Sequence, residues 1–367
     1  MDPTGMLFIA FILTYIGGLV YVANQVEAAR ILNEQKSRPL EMGGVHFFLE
    51  SNQVVILRWL LYGLIGMMAA VGFMVLQVAL LTDMVDVPEA DLVALQLEIN
   101  PVAAIVVFGI AAAFSFLSYR IVVDAALRQR LCGWFGRWGS YDPDSPVHTA
   151  ALVLMLAMVV WTLVTFVLQG GISGMAEELA ESSVDAGDLL FQGFLQVVVA
   201  LLGVGLAIRR DWPEAMARLG LRLPTRDDLV WGIGLGFALF IVSRILTLIW
   251  IALSSPEMLA EQTAAAEALN QAFATLPMAF VVAFSAAVGE EIWVRGALQP
   301  VFGLVFSSVF FVLLHTQVAL TPGTLIILLV SLGFGWLRQR YSTTAAIIAH
   351  FVYNFVPLAL LSLVATA

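Results

Sequence analysis

The chain has 367 residues, of which 61% are hydrophobic and only 12% charged, and its mean hydropathy is +0.94. An ordinary soluble domain carries about 25% charge, so this composition cannot cover a water-facing surface and excludes a soluble globular fold. The formal net charge is -10, from 17 Lys+Arg against 27 Asp+Glu; an acidic balance without a basic tract argues against nucleic-acid binding.

The expected fold class is all-α: a polytopic bundle of transmembrane helices, about ten spans, each near the ~20 apolar residues that cross a bilayer. The N-terminal run MDPTGMLFIAFILTYIGGLVYVA has no positive n-region, which fits a first membrane helix better than a cleavable signal. In chain order the expected spans are 5–23, 53–81, 101–123, 149–169, 188–208, 229–253, 277–299, 302–320, 322–340 and 343–365. The second is long enough to tilt or to extend beyond the lipid.

The connections test this reading independently. Arg30, Lys36, Arg38 and Arg58 follow or flank the first connection, and Arg120, Arg128, Arg130 and Arg137 the third. Arg209, Arg210, Arg218, Arg222 and Arg226 mark the fifth, and Arg338 and Arg340 the ninth. The intervening connections carry no Lys or Arg. Positive residues mark the cytoplasmic side, so both termini are expected outside. The lone cysteine, Cys132, falls in an Arg-bearing connection and has no partner for a disulfide or a Cys-based metal site. The segment RRDWPEAMARLGLRLPTRDD has the amphipathic, Pro-bounded pattern of a short helix on the cytoplasmic surface.

Residues 1–187 read as a four-helix membrane extension and 188–367 as the functional unit, because the ionisable residues inside spans all lie after residue 240. No repeat of broken segments relates two halves, as it often does in inverted-repeat transporters. A charge at the bilayer centre costs about 2.5–3.5 kcal/mol, so each such residue needs a partner or a task.

Four sites qualify. In AAVGEEIWVRGALQP, Glu291 and Arg295 are i,i+4 in the order that favours an ion pair. Glu290 is turned about 100° from Glu291, so it has different neighbours and can face a cavity as a general base. The competing reading is one structural ion cluster. FFVLLHTQ sets Phe311 and His315 at i,i+4, and AHFVYNF sets His350 and Asn354 at i,i+4; hydrogen bonds that only join helices are the bland alternative. Arg244, in FIVSRILTLIW, is expected to offset the surplus negative charge or to snorkel. Small residues around the first motif, Ser285, Ala286, Ala287, Gly289, Gly296 and Ala297, would let helices approach closely.

These residues, in this order, resemble the CPBP family of CAAX proteases and bacteriocin-processing enzymes, also called the ABI family. Its motifs EExxxR, FxxxH and HxxxN/D are matched by Glu290-Glu291-Ile292-Trp293-Val294-Arg295, by Phe311 to His315 and by His350 to Asn354. The resemblance implies an intramembrane endopeptidase acting on a membrane-embedded or lipidated protein or peptide. Glu290 and His315 would activate water, and His350 and Asn354 would stabilise the oxyanion. Glu291, Arg295 and Phe311 would support them.

Zinc is a possible cofactor, with Glu290, His315 and His350 as its ligands if a metal is used. Nothing here resembles HExxH and Asn is a poor zinc ligand, so a metal-free mechanism is slightly favoured. The alternative function is a non-catalytic family member, or a proton-coupled transport or binding protein using the same polar cluster. The expected location is the inner or plasma membrane of a prokaryotic cell, with the lipid bilayer as partner.

Overall fold

The computed structural model describes residues 3–36, 45–84, 99–172, 174, 175, 177, 185–254, 273, 275–316 and 321–365. The connections without basic residues around 82–100 and 254–276 fall largely outside the described residues, and that around 170–187 does so in part. Among the described residues the elements are helices: α1 (Pro3–Lys36), α2 (Val45–Met84), α3 (Pro101–Val123), α4 (Ala125–Phe135), α5 (Pro146–Leu168), α6 (Ala186–Gly203) and α7 (Trp212–Leu219). There follow α8 (Arg226–Leu253), α9 (Leu276–Glu290), a π-helix (Glu291–Leu298), α10 (Gln299–Phe302), α11 (Leu304–Leu313), α12 (Gly323–Arg340) and α13 (Thr343–Ala365).

The span starts share one local grammar. Asn100, Ser145 and Thr275 each accept a backbone N–H of the first turn, and a proline follows at the first or second helical position. The side chain satisfies a donor that the helix itself cannot, and proline there gives up an N–H that would have no partner.

Eight helices among the described residues are long and apolar enough to cross a membrane. The protein is thus a polytopic helical bundle. The two remaining expected segments are helical but differ. α11 stops after 10 residues, about 15 Å, which is half a bilayer core rather than the expected span of 302–320. α12 has 18 residues and ends on Arg338 and Arg340. The first two helices overrun their expected spans, α1 with 34 residues and α2 with 40.

The basic connections meet at one end of the bundle. Arg30 of α1 holds Asp142 at 2.7 Å, and Arg209 donates to Asn24 Oδ1 at 2.7 Å. Ser140 donates to the Pro300 carbonyl at 2.9 Å. Asp228, fully buried, accepts from Arg222 at 3.0 Å and from Ser342 at 2.7 Å, tying the start of α8 to the start of α13. Cys132 is half-buried and free, its thiol 3.5 Å from the Tyr141 carbonyl.

α7 opens with a capping box of Asp211 and Glu214. It does more than lie on a surface: Ala215 and Leu219 are fully buried, and Leu219 packs on Gly296 of the π-helix. Gly220 ends it at φ +69, a left-handed conformation that only glycine adopts without penalty. A Cβ there would also lie 2.6 Å from the Arg338 guanidinium carbon. Gly220→Ala is expected to cost about 1–2 kcal/mol, read as a lower melting temperature in detergent.

One hydrophobic core joins the early helices to the motif-bearing segment. Leu19, Leu57 and Val153 belong to the same buried cluster as Ile292, Trp293, Val294 and Phe302. α6 crosses α9 closely, where a Cβ on Gly289 would lie 2.9 Å from the Gly193 Cα. The small residues expected to permit close packing do so at Gly289 and at Gly296.

Candidate active site

The EExxxR motif straddles a change of helix type. α9 is α-helical through Glu290, and from Glu291 the backbone widens into a π-helix whose last N–H, on Gln299, reaches the Val294 carbonyl five residues back. Pro300 has no N–H to offer the preceding turn. Arg218 donates here instead, Nη1 to the Gly296 carbonyl at 3.1 Å, and also Nη2 to the Ala297 carbonyl at 3.4 Å. Gln299 then pins the segment to α12 by donating to the Gly335 carbonyl at 2.8 Å. π-turns recur at functional sites because they redirect side chains at the cost of regular packing.

The two adjacent glutamates have different environments. Glu291 is fully buried and its Oε2 lies 3.2 Å from Nε of the equally buried Arg295, so the expected ion pair is present. The geometry is Coulombic contact rather than a directed hydrogen bond, since neither atom has a hydrogen-bond partner. Arg295 donates through Nη2 to Ser331 Oγ of α12 at 2.8 Å and lies over the Phe311 ring, 5.0 Å from its centroid. The other oxygen of Glu291 meets His350 Nδ1 at 2.9 Å. With the carboxylate ionised, Nδ1–H is the donor and Nε2 is left for other work.

Glu290 keeps 22% of its side-chain surface exposed. Its Oε2 faces His350 Nε2 at 4.0 Å, too far for a direct bond. An oxygen atom about 2.8 Å from both would fit between them at an angle of about 90°. His350 itself is buried, stacked on Phe334 with centroids 4.8 Å apart.

His315 sits just past the end of the short helix α11. Its Nδ1 lies 2.7 Å from the Phe311 carbonyl, so Nδ1–H caps an end-of-helix acceptor and Nε2 is again the free nitrogen. Its ring packs on Phe311 at 4.3 Å, and Phe311 approaches His350 at 6.4 Å. A helix that stops at this depth leaves polar backbone inside the membrane, which is tolerated where it is buried in protein or lines a wet cavity. Asn354 lies one turn beyond His350 on α13, half-buried.

Glu290, Glu291, Arg295, Phe311 and His350 therefore form one contiguous cluster, which His315 joins through Phe311. Asn354, one turn beyond His350 on α13, makes none of these contacts. Arg244 is not part of the cluster: its side chain is exposed and stands over Phe240 of its own helix at 5.9 Å. It is 18 residues from the start of α8, about 27 Å along the axis, which suits snorkelling at the far interface and not charge compensation.

Sequence reading missed three supports: Ser331, Phe334 and Arg218. A hydroxyl within the apolar run LLVSLGFGW was the available sign for α12, since a buried serine needs a partner. Nothing in the sequence links Arg218 to carbonyls 78 residues on.

Among the described residues no three His, Cys, Asp or Glu side chains are gathered so as to hold a metal ion. The Nδ1 atoms of His315 and His350 are both committed to protein acceptors. Nδ1 bonding of this kind leaves both Nε2 atoms available, which is also how metal-binding histidines are oriented.

Fold and site together define a membrane-embedded protein with an ionisable cluster held at depth by a CAAX protease-like segment. Residues 272–356 match the family model described as type II CAAX prenyl endopeptidase Rce1-like. The match contains all three motifs, is consistent with the CPBP family and supports an intramembrane endopeptidase. No curated protein and no solved structure matches the chain.

Proposed function

We propose that the protein hydrolyses a peptide bond of a membrane-embedded or lipidated protein or peptide, using a water activated by Glu290 without a bound metal. The observation that carries this is the part-exposed Glu290 carboxylate, whose Oε2 lies 4.0 Å from His350 Nε2, so that a base and an oxyanion donor can flank one scissile carbonyl.

Glu290 takes a proton from the water as its oxygen attacks the scissile carbonyl carbon. The Nε2 of His315 orients that water. The carbonyl oxygen becomes an oxyanion, which accepts hydrogen bonds from Nε2–H of protonated His350 and from the Asn354 amide. Glu291, bonded to His350 Nδ1, holds the ring and balances its positive charge. The tetrahedral adduct collapses, the C–N bond breaks, and the proton on Glu290 passes to the leaving amine. Arg295 pairs with Glu291 and holds it in place. In this reading the Arg-bearing end of the bundle faces the cytoplasm, and residues 188–367 form the protease unit.

The test is cleavage by the purified full chain in detergent, with prenylated and unprenylated forms of one C-terminal CAAX peptide, with and without EDTA. The expected result is cleavage favouring the lipidated peptide and unchanged by the chelator. Chelator-sensitive cleavage restored by zinc would overturn the metal-free step. No cleavage of either peptide, with proton flux in liposomes instead, would favour a transporter.

A further inference from the structure

A cavity of about 710 Å³ lies between the early helices and the back of the π-helix, within the size range of ligand sites. Glu290, His315, His350 and Asn354 do not line it. It follows α1 from Phe11 to Asn24 and α5 from Val147 to Thr162, about 20 Å on each helix. Its long walls are apolar, while one end gathers three guanidinium groups, those of Arg209, Arg210 and Arg218.

Among the described residues those three cations form no salt bridge, although Glu27 lies near enough to attract Arg209. Arg209 donates to Asn24 Oδ1 at 2.7 Å, Arg210 to the Val204 carbonyl, and Arg218 to the Gly296 and Ala297 carbonyls. All of these acceptors are neutral, and among the described residues none of the three forms a salt bridge to a carboxylate. The neighbouring carboxylate, Glu27, is already bonded to Arg30 at 2.7 Å and to Ser145 at 2.8 Å. Each guanidinium has five N–H groups, so most donors remain unspent. Burial, followed by repulsion from Arg210, pushes both Arg209 and Arg218 down to about 10; they stay charged at neutral pH. Half-buried cations that repel one another call for a negative partner. His148 adds a donor, because its Nδ1 accepts the Asp142 N–H at 2.9 Å and its ring proton is therefore on Nε2.

We propose that this cavity binds one anionic lipid, its phosphate held by Arg209, Arg210 and Arg218 and its hydrocarbon lying between α1 and α5. The shape sets the ligand class. One leaflet of a bilayer core is about 15 Å deep, so a 20 Å apolar slot with a cationic end fits a chain plus its headgroup. A free phosphate would leave the apolar length unfilled. Trp293 and Ala297 of the π-helix line the same cavity, so the bound lipid braces the segment that carries Glu291 and Arg295. The site rests on charge and shape alone and does not depend on the proteolytic reading.

The test uses the delipidated full chain in detergent, with binding followed by native mass spectrometry and by melting temperature. Dioleoylphosphatidylglycerol is compared with dioleoylphosphatidylcholine and with inorganic phosphate. The expected result is retention of the anionic lipid about tenfold above the zwitterionic one, with a rise in melting temperature that phosphate alone does not give. Arg209→Gln with Arg210→Gln should abolish the preference, and Ala157→Trp should block the apolar limb and lower retention of both lipids. Equal retention of the two lipids by the wild type overturns the proposal even if no variant folds. A full thermal shift with inorganic phosphate alone also overturns it, in favour of a free-anion site.

Discussion

Glu290→Gln is expected to leave a folded protein that cleaves its peptide about 10³-fold more slowly, mostly in kcat, as removal of a general base does. Glutamine preserves the size of the side chain and its ability to bind the water, and removes only the proton acceptor. Stability should barely change, because Glu290 keeps 22% side-chain exposure and stands outside the Glu291–Arg295 contact. The check is steady-state kinetics beside a melting curve. A variant that retains wild-type kcat would show that the base is elsewhere. A variant that unfolds would show that Glu290 belongs to the ion cluster.

Arg295→Met is expected to fail in the opposite way. Arg295 and Glu291 are both fully buried, and removing one member of such a pair strands the other charge at a cost of about 3–5 kcal/mol. Ser331 Oγ loses its donor at the same time, and the Phe311 ring loses the cation above it. The protein should melt well below the wild type, or accumulate poorly, whatever its activity per folded molecule. Adding Glu291→Leu to Arg295→Met should restore part of that stability, because no buried charge is then left over, while His350 loses its Nδ1 acceptor and activity stays low. Unchanged melting of the single variant would mean that the pair is not desolvated.

Much of the site was legible because charges in an apolar chain are conspicuous. Glu290, Glu291 and Arg295 stood out by cost alone, and i,i+4 spacing gave the right partner for Glu291. Two features could not be read. The π-helix is bonded by a donor from another helix, Arg218, and spacing along the sequence does not contain that contact. The early stop of α11 is hidden because hydropathy averages the polar His315-Thr316-Gln317 into the apolar residues on either side; at the helix end His315 Nδ1–H donates to the Phe311 carbonyl.

Arg244 shows the limit of hydropathy as a guide. Inside a span it looks like a cluster member, yet the buried residue at that point of α8 is its neighbour Ser243. One residue of rotation, about 100°, separates facing the bundle from facing outward. The fold class, by contrast, followed from composition and from the alternation of Arg between connections, and the described basic connections do meet at one end of the bundle.

The most direct measurement is cleavage in ¹⁸O-labelled water with chelator present, reading the new C-terminal carboxylate of the product by mass spectrometry. A water activated by Glu290 predicts one labelled oxygen in the wild-type product and no product above background from Glu290→Gln. Labelled product formed equally well by Glu290→Gln, or product that appears only when metal is returned, would contradict it.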